Sequence, residues 1–178
     1  MPLDPSQPYP KRARLKDKVS YLGIRGYFIT INAYRRCKFF TQKNVVASLV
    51  RYLQEASTQE AFEVVAYCFM PDHLHLVLTG MYESSDLERF IRQFKQFTGY
   101  RFKKQFGVRL WATSYYDNVL RKEENIKTVG RYVLKNPLRA GLVSNVLDYP
   151  FSGSFVYDLR ELFESDPYLL SDEEIGQS

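Results

Sequence analysis

Apolar positions along this chain repeat first at strand spacing and then at helix spacing. The run of residues 21–34 (YLGIRGYFITINAY) is β-branched and aromatic and predicts a first strand that is central or nearly so. A first helix should follow Thr41, because threonine is favoured at N-caps and apolar residues then recur with helical periodicity. Those residues are Val45, Val46, Leu49, Val50 and Leu53.

A hairpin and a second helix come next. Residues 62–70 are apolar, Pro71 and Asp72 supply turn chemistry, and residues 73–79 alternate again, which predicts strands two and three. The segment from Ser85 to Glu88 has the form of a capping box, and Gly107 is a residue type that ends helices. The apolar residues on one face of this helix are Leu87, Phe90, Ile91, Phe94 and Phe97.

The last third of the pattern predicts a fourth strand over residues 109–121 and a third helix from about Glu123. That helix should end near Asn136, because Pro137 disfavours helical conformation in the residue before it. The order β-α-β-β-α-β predicts an α+β, ferredoxin-like antiparallel sheet with two helices on one face. The third helix is then an additional C-terminal element, available to carry catalytic residues.

Composition and charge divide the chain into three segments. A length of 178 residues supports one domain, predicted here over residues 20–157. Residues 1–19 are proline-rich and then basic and predict an arm, whereas residues 158–178 predict an acidic tail. The net charge of +5 combines −6 in residues 158–178 with +11 in residues 1–157. That excess favours a polyanion such as nucleic acid, although solvated surface charge would give the same count.

Basic side chains cluster in two places that could follow a phosphate backbone. The exposed face of the second helix could equally be an ordinary solvated surface. The candidate DNA-binding residues are Lys11, Arg12, Arg14, Lys16 and Lys18 in the arm, Arg92, Lys95, Lys103 and Lys104 on the helix, and Arg121 after the fourth strand.

Cellular location is also constrained by the sequence. Cys37 and Cys68 have neither CxxC spacing nor the density of a disulfide framework, which indicates a reducing compartment. No stretch approaches the roughly 20 apolar residues that span a bilayer. We therefore expect a soluble, cytoplasmic protein with no membrane partner.

The chain contains two histidines, and they lie two residues apart on the predicted third strand. Strand side chains alternate, so His73 and His75 project from one face while Leu74 and Leu76 project from the other. Two adjacent imidazoles make half of a metal site, although a histidine pair can also be purely structural.

The third helix offers a nucleophile. Tyr132 and Asn136 are one helical turn apart, on a flank shared with Asn125 and Thr128. A phenol can attack phosphorus if a metal neutralises charge on the phosphate, and the Asn136 carbonyl oxygen could join the ligands. Most of the 14 tyrosines must be structural, and an asparagine before proline is often only a cap.

These motifs together resemble the REP-associated tyrosine transposases, relatives of the IS200/IS605 transposases within the HUH endonucleases. The resemblance covers roughly residues 20–155. The matching segments are AYCFMPDHLHLVL around the histidines, RQFKQFTGYRF, LWATSYYDNVLR, YVLKNPLRAGLV and YPFSG.

The resemblance implies a metal-dependent endonuclease and strand transferase that nicks single-stranded DNA beside a hairpin and leaves a 5′-phosphotyrosine. By position, His73 and His75 are ligands of Mg²⁺ or Mn²⁺, Tyr132 is the nucleophile and Asn136 is an auxiliary ligand. The related insertion-sequence enzymes carry a glutamine at the Asn136 position. The implied partner is single-stranded or hairpin DNA with REP-like palindromes, bound by a monomer or a homodimer.

Three other functions were compared with this one. A domesticated protein could keep the fold and bind hairpin DNA without cutting it. An RNA-recognition module shares the strand order, but Phe28 replaces the small residue of its signature and the segment lies on the wrong strand. A metal-dependent hydrolase would need further histidines or several positioned carboxylates.

Overall fold

The structure is a computed structural model, and it describes residues 21–121 and 125–164. The predicted basic arm and most of the predicted acidic tail lie outside the described residues. The strands are β1 (Gly26–Asn32), β2 (Phe62–Met70), β3 (His73–Gly80), β4 (Tyr116–Val119) and β5 (Ser152–Gly153). The helices are α1 (Lys43–Gln59), α2 (Leu87–Phe106), α3 (Ile126–Leu134), α4 (Asn136–Arg139) and α5 (Leu159–Phe163).

The strands form one antiparallel sheet in the order β4-β1-β3-β2-β5. Its first four members have the order that the ferredoxin-like βαββαβ arrangement requires, so the predicted fold class is confirmed. The short strand β5 extends the sheet beyond β2. The sheet therefore has two faces, each of which must be covered by helices or left open to solvent.

Helices α1 and α2 cover one face. Buried residues of both helices, among them Leu53, Phe90 and Phe94, pack with Ile29 and Leu76 of the sheet in one apolar cluster. This clustering follows from the sequence, because apolar residues at helical spacing meet apolar residues at alternate strand positions. Phe97 differs from the prediction, since its side chain is 45% exposed and the buried position nearby is Thr98.

The other face holds α3, and a second apolar cluster joins them. Val133 and Leu134 of α3 pack with Val77 of β3 and with Val65 and Ala66 of β2. Gly130 allows this close approach, because a Cβ there would lie 3.3 Å from a methyl carbon of Val65. The predicted additional helix therefore lies on the sheet face opposite α1 and α2.

Helix beginnings differ from the predictions in detail. Gln42, not Thr41, occupies the N-cap of α1, and it makes no side-chain capping bond. Asp86 caps α2 by accepting a hydrogen bond from the Arg89 backbone N–H, while Ser85 is buried and donates to the Ala61 carbonyl. Short polar residues compete for such positions, and tertiary contacts decide which of them caps the helix.

The predicted bounds of two strands and one helix also change. The first and fourth strands are shorter than residues 21–34 and 109–121, because their flanking residues form only isolated bridges such as Ala33 with Trp111. Helix α3 begins at Ile126 after the N-cap Asn125. Packed structure continues past residue 157, since Leu162 and Phe163 of α5 are buried in the second cluster.

Candidate active site

The histidine pair lies at the start of β3, on the sheet face that α3 covers. Leu74 and Leu76 point into the α1/α2 cluster, whereas His73 and His75 point the other way, as strand alternation predicts. His75 is buried with 5% of its surface exposed, and its ring stacks on Phe28 at 5.5 Å between centroids. The two imidazoles face each other, with 3.0 Å between their Nε2 atoms.

Hydrogen bonds at the far side of each ring orient the imidazoles. His73 Nδ1 lies 2.6 Å from Asp72 Oδ1, so Nδ1 carries the proton and donates to the carboxylate. His75 Nδ1 lies 2.8 Å from Thr30 Oγ1, a hydroxyl that can donate or accept. A neutral His73 thus presents an Nε2 lone pair toward His75, and the Thr30 hydroxyl can adjust to either tautomer of its partner.

Both imidazoles are held in the neutral form. Burial lowers the pKa of His73, and it lowers the pKa of His75 to about 3. The neighbouring charges of Arg36 and Arg139 act on His75 in the same direction. A neutral imidazole is the form that binds metals.

This donor set fits a divalent cation. Two ligands about 2.1 Å from an octahedral ion and at right angles to each other lie about 3.0 Å apart, as the two Nε2 atoms do. Among the described residues no group of three or more histidine, cysteine, aspartate or glutamate side chains could hold a metal. Amide, water and substrate oxygens are further ligands that such a cation accepts.

Asn136 can supply such an amide oxygen. Pro137 lacks the N–H that would bond to the Val133 carbonyl in a continuous helix, and the Asn136 side-chain nitrogen donates to that carbonyl at 3.0 Å instead. This bond leaves Oδ1 as the end of the amide that can bind a ligand. Helix α3 ends at Leu134, near Asn136 as predicted, and a separate short helix, α4, begins at Asn136 with Pro137 in its first turn.

Tyr132 lies on α3, on the histidine side of the sheet. Its ring is half-buried and packs against the second apolar cluster. Its hydroxyl accepts a hydrogen bond from Nη2 of Arg139 at 2.8 Å, and the Arg139 guanidinium carbon lies 4.1 Å from the ring centroid. Asn125, predicted on the same helical flank, is instead the N-cap and accepts from the Lys127 backbone.

Arg36 is a second arginine near the histidines that sequence reasoning missed. Its Nε donates to Asp72 Oδ2 at 3.0 Å, and its Nη1 donates to Asn32. Arg35 and Arg36 have φ of +52° and +56°, a left-handed conformation that costs an arginine roughly 1 kcal/mol. No sequence pattern marks this pair, because its position depends on a strained turn after β1.

The predicted DNA-binding residues are dispersed. Helix α2 lies on the opposite side of the sheet from the histidines, and it exposes Arg92, Lys103 and Lys104 to solvent. Lys95 also makes a structural contact, because its ammonium donates to the backbone carbonyls of Ala112 and Thr113 at 3.0 Å each. Arg121 is exposed at the end of β4, and the five arm residues lie outside the described part of the chain.

Comparisons with known proteins place this chain in a family. The model of the family described as "Transposase IS200 like" matches residues 24–136, which is more than half of the chain. The chain therefore belongs to the IS200-like transposase family, a class of enzymes that act on DNA.

Within that family, its relatives are REP-associated tyrosine transposases, as the sequence resemblance indicated. One of Escherichia coli K12 is 24% identical over 128 residues, which are 71% of this chain and 74% of the relative. A Haemophilus influenzae protein, named as a candidate of the same kind, is 28% identical over 155 residues, 79% of this chain and 85% of that protein.

The fold is also similar to that of a solved structure. The solved structure of a REP-associated tyrosine transposase bound to a REP hairpin superposes with a TM-score of 0.62 at 24% identity. The match covers 74% of this chain and 78% of that one. None of the helices in the described ranges is long and apolar enough to cross a membrane.

Proposed function

We propose that this transposase is a metal-dependent endonuclease and strand transferase that cuts single-stranded DNA beside a hairpin through a 5′-phosphotyrosine. The observation that supports this most directly is the histidine pair, with 3.0 Å between its Nε2 atoms, on the sheet face that carries Tyr132. Helix α3 thus carries the proposed nucleophile, Tyr132, on the same side of the sheet as two neutral imidazoles that could bind a cation.

Each residue has a distinct part in the proposed reaction. The Tyr132 phenol oxygen attacks the phosphate, and a covalent phosphotyrosine forms as the 3′ oxygen leaves. Asp72 and Thr30 hold the imidazoles in the orientation that exposes Nε2. His73, His75 and Asn136 would hold Mg²⁺ or Mn²⁺, whose positive charge would offset the negative charge of the phosphate.

The proposed partner is hairpin DNA with a single-stranded flank. A relative of the same family has been solved with a REP hairpin. The excess positive charge of residues 1–157 and the exposed lysine and arginine side chains of α2 suit a phosphate backbone. The affinity for hairpin DNA should therefore fall steeply as the salt concentration rises. Because α2 and the histidines occupy opposite sides of the sheet, hairpin and scissile strand would contact different faces.

Incubation of the protein with end-labelled hairpin DNA and Mn²⁺, followed by a denaturing gel, tests this proposal. With the label at the 3′ end, we expect the fragment on the 3′ side of the cut to be linked to the wild-type protein through its 5′ phosphate. No such adduct should form with Tyr132→Phe, which removes only the attacking oxygen. Tyr116→Phe is the matched control, because Tyr116 pairs with Thr30 across the sheet and therefore shares the histidine face.

The outcomes separate the competing functions. Hairpin binding by the wild type without any adduct or cleavage would identify a domesticated DNA-binding protein. An adduct that persists in Tyr132→Phe and disappears in Tyr116→Phe would move the nucleophile to β4. Metal-independent cleavage would remove the proposed cofactor.

A further inference from the structure

Arg139 contacts both the hydroxyl and the ring of the proposed nucleophile. Its guanidinium donates to the Tyr132 hydroxyl at 2.8 Å and lies over the same ring. It follows Tyr132 by seven residues, which is two helical turns, and the nearly continuous α3 and α4 bring the two side chains together. Arg139 lies beyond residues 24–136, the segment that the family model matches.

The guanidinium retains most of its capacity to bind an anion. Arginine has five N–H donors in a planar fork, and within residues 21–121 and 125–164 the Arg139 guanidinium donates only one hydrogen bond, to Tyr132. No carboxylate in that part of the chain pairs with it. Arg36 differs, because Asp72 and Asn32 occupy two of its nitrogens.

We propose that Arg139 is a catalytic residue, whose guanidinium holds the Tyr132 phenol oxygen and binds the scissile phosphate beside it. This inference rests on the proposed function, in which Tyr132 is the nucleophile. A planar guanidinium can contact the phenol oxygen with one nitrogen and a phosphate oxygen with another. The nucleophile and its target would then be held by the same cation, at the separation that attack requires.

The charge of Arg139 also matches the charge that the reaction develops. The bond from the Tyr132 oxygen to phosphorus forms as the bond from phosphorus to the 3′ oxygen breaks. The phenol proton is lost and the leaving 3′ oxygen gains a proton, so protons balance over the step. Negative charge on the attacking oxygen and on the phosphate increases meanwhile, next to a fixed positive charge.

A kinetic experiment tests the catalytic part. Arg139→Gln keeps a hydrogen-bond donor and removes the charge, and we expect single-turnover cleavage of hairpin DNA to fall about 10²- to 10³-fold. Arg139→Lys should recover part of that loss. Arg160→Gln, which removes one exposed positive charge from α5, is the matched control and should cleave at the wild-type rate. Equal single-turnover cleavage rates for Arg139→Gln and Arg160→Gln would show that the contact of Arg139 with Tyr132 is structural and does not contribute to catalysis.

A binding experiment tests the phosphate contact without any cleavage. A neutral methylphosphonate is placed at each linkage of the single-stranded flank in turn, and affinity is measured for wild type and Arg139→Gln. We expect one linkage at which the methylphosphonate weakens DNA binding by the wild type but does not change DNA binding by Arg139→Gln. Equal losses for both proteins at every linkage would overturn the contact. If Tyr132→Phe still formed the adduct, the assignment of Tyr132 as nucleophile would be refuted. The comparison of methylphosphonate effects in wild type and Arg139→Gln would still show whether Arg139 contacts a phosphate.

Discussion

The two faces of the sheet differ in how they use the alternating side chains of β1. Toward α1 and α2, Tyr27, Ile29 and Ile31 are fully buried. Toward the histidines, Phe28 and Thr30 are only half-buried, because α3 packs mainly against β2 and β3. Burial on the first face stabilises the fold, whereas incomplete cover on the second leaves polar groups within reach of a substrate.

Polar groups follow the same division. On the α1/α2 face they support packing, as where Trp111 Nε1 donates to Thr98 at 2.8 Å. On the histidine face, Asp72 and Thr30 instead orient the two imidazoles of the candidate site. Substitutions on the first face should therefore change stability, and substitutions on the second should change chemistry.

Loss of both histidines should have the largest effect. We expect the double variant His73→Ala, His75→Ala to lose cleavage of hairpin DNA altogether, because the proposed cation has no imidazole ligands left. Hairpin affinity in a gel-shift assay should stay nearly unchanged, since the basic surfaces remain. Thr79→Ala, on the same strand and face, is the control and should cleave normally. Full activity of the double variant would remove the metal site from the mechanism.

Truncation on the α1/α2 face should mainly affect stability. Phe90 is completely buried, so Phe90→Ala should lower the free energy of unfolding by about 3–5 kcal/mol, measured by urea denaturation. Phe97→Ala, two turns along the same helix but at a half-exposed position, should cost only about 1 kcal/mol. Similar costs at both positions would contradict the packing described for α2.

The Thr30 hydroxyl should tune the metal site without affecting the fold. Thr30→Val keeps the shape of the side chain but removes the partner of His75 Nδ1. We expect Mn²⁺ affinity, measured by calorimetry, to fall about 10- to 100-fold, as it does when an orienting partner of a ligand is lost. Thr79→Val serves as the control. Unchanged Mn²⁺ binding would mean that the Thr30 bond does not orient a ligand.

The smallest effects are expected for the lysines of α2, where Lys95 should contribute to stability and Lys103 and Lys104 to DNA binding. Lys95→Met removes the donor to the carbonyls of residues 112 and 113, and should lower the free energy of unfolding by about 1–2 kcal/mol while DNA affinity is retained. Lys103→Met and Lys104→Met should do the reverse, weakening hairpin binding at low salt without a change in melting temperature. A large loss of DNA affinity in Lys95→Met would support the prediction from the sequence that Lys95 contacts DNA.

Several of these distinctions could not be read from the sequence. The basic residues of α2 look equivalent along the helix, but Lys95 meets a loop of the chain that begins 17 residues later. Arg139 was missed because no sequence pattern indicates that a second short helix, α4, follows α3 and brings Arg139 back to Tyr132. The hydrogen bond from the Asn136 side chain to the Val133 carbonyl was likewise not predicted. It forms because Pro137 has no N–H to donate to that carbonyl.

The sequence by itself determined the order of helices and strands, the ferredoxin-like fold and the shared face of His73 and His75. These follow from periodicity, which is a local property: alternate residues of a strand point the same way whatever lies around them. Only the tertiary structure decided which helix faces the histidines and which arginines approach them. Distances between side chains of different elements arise from packing across the sheet, and local patterns carry no information about that packing.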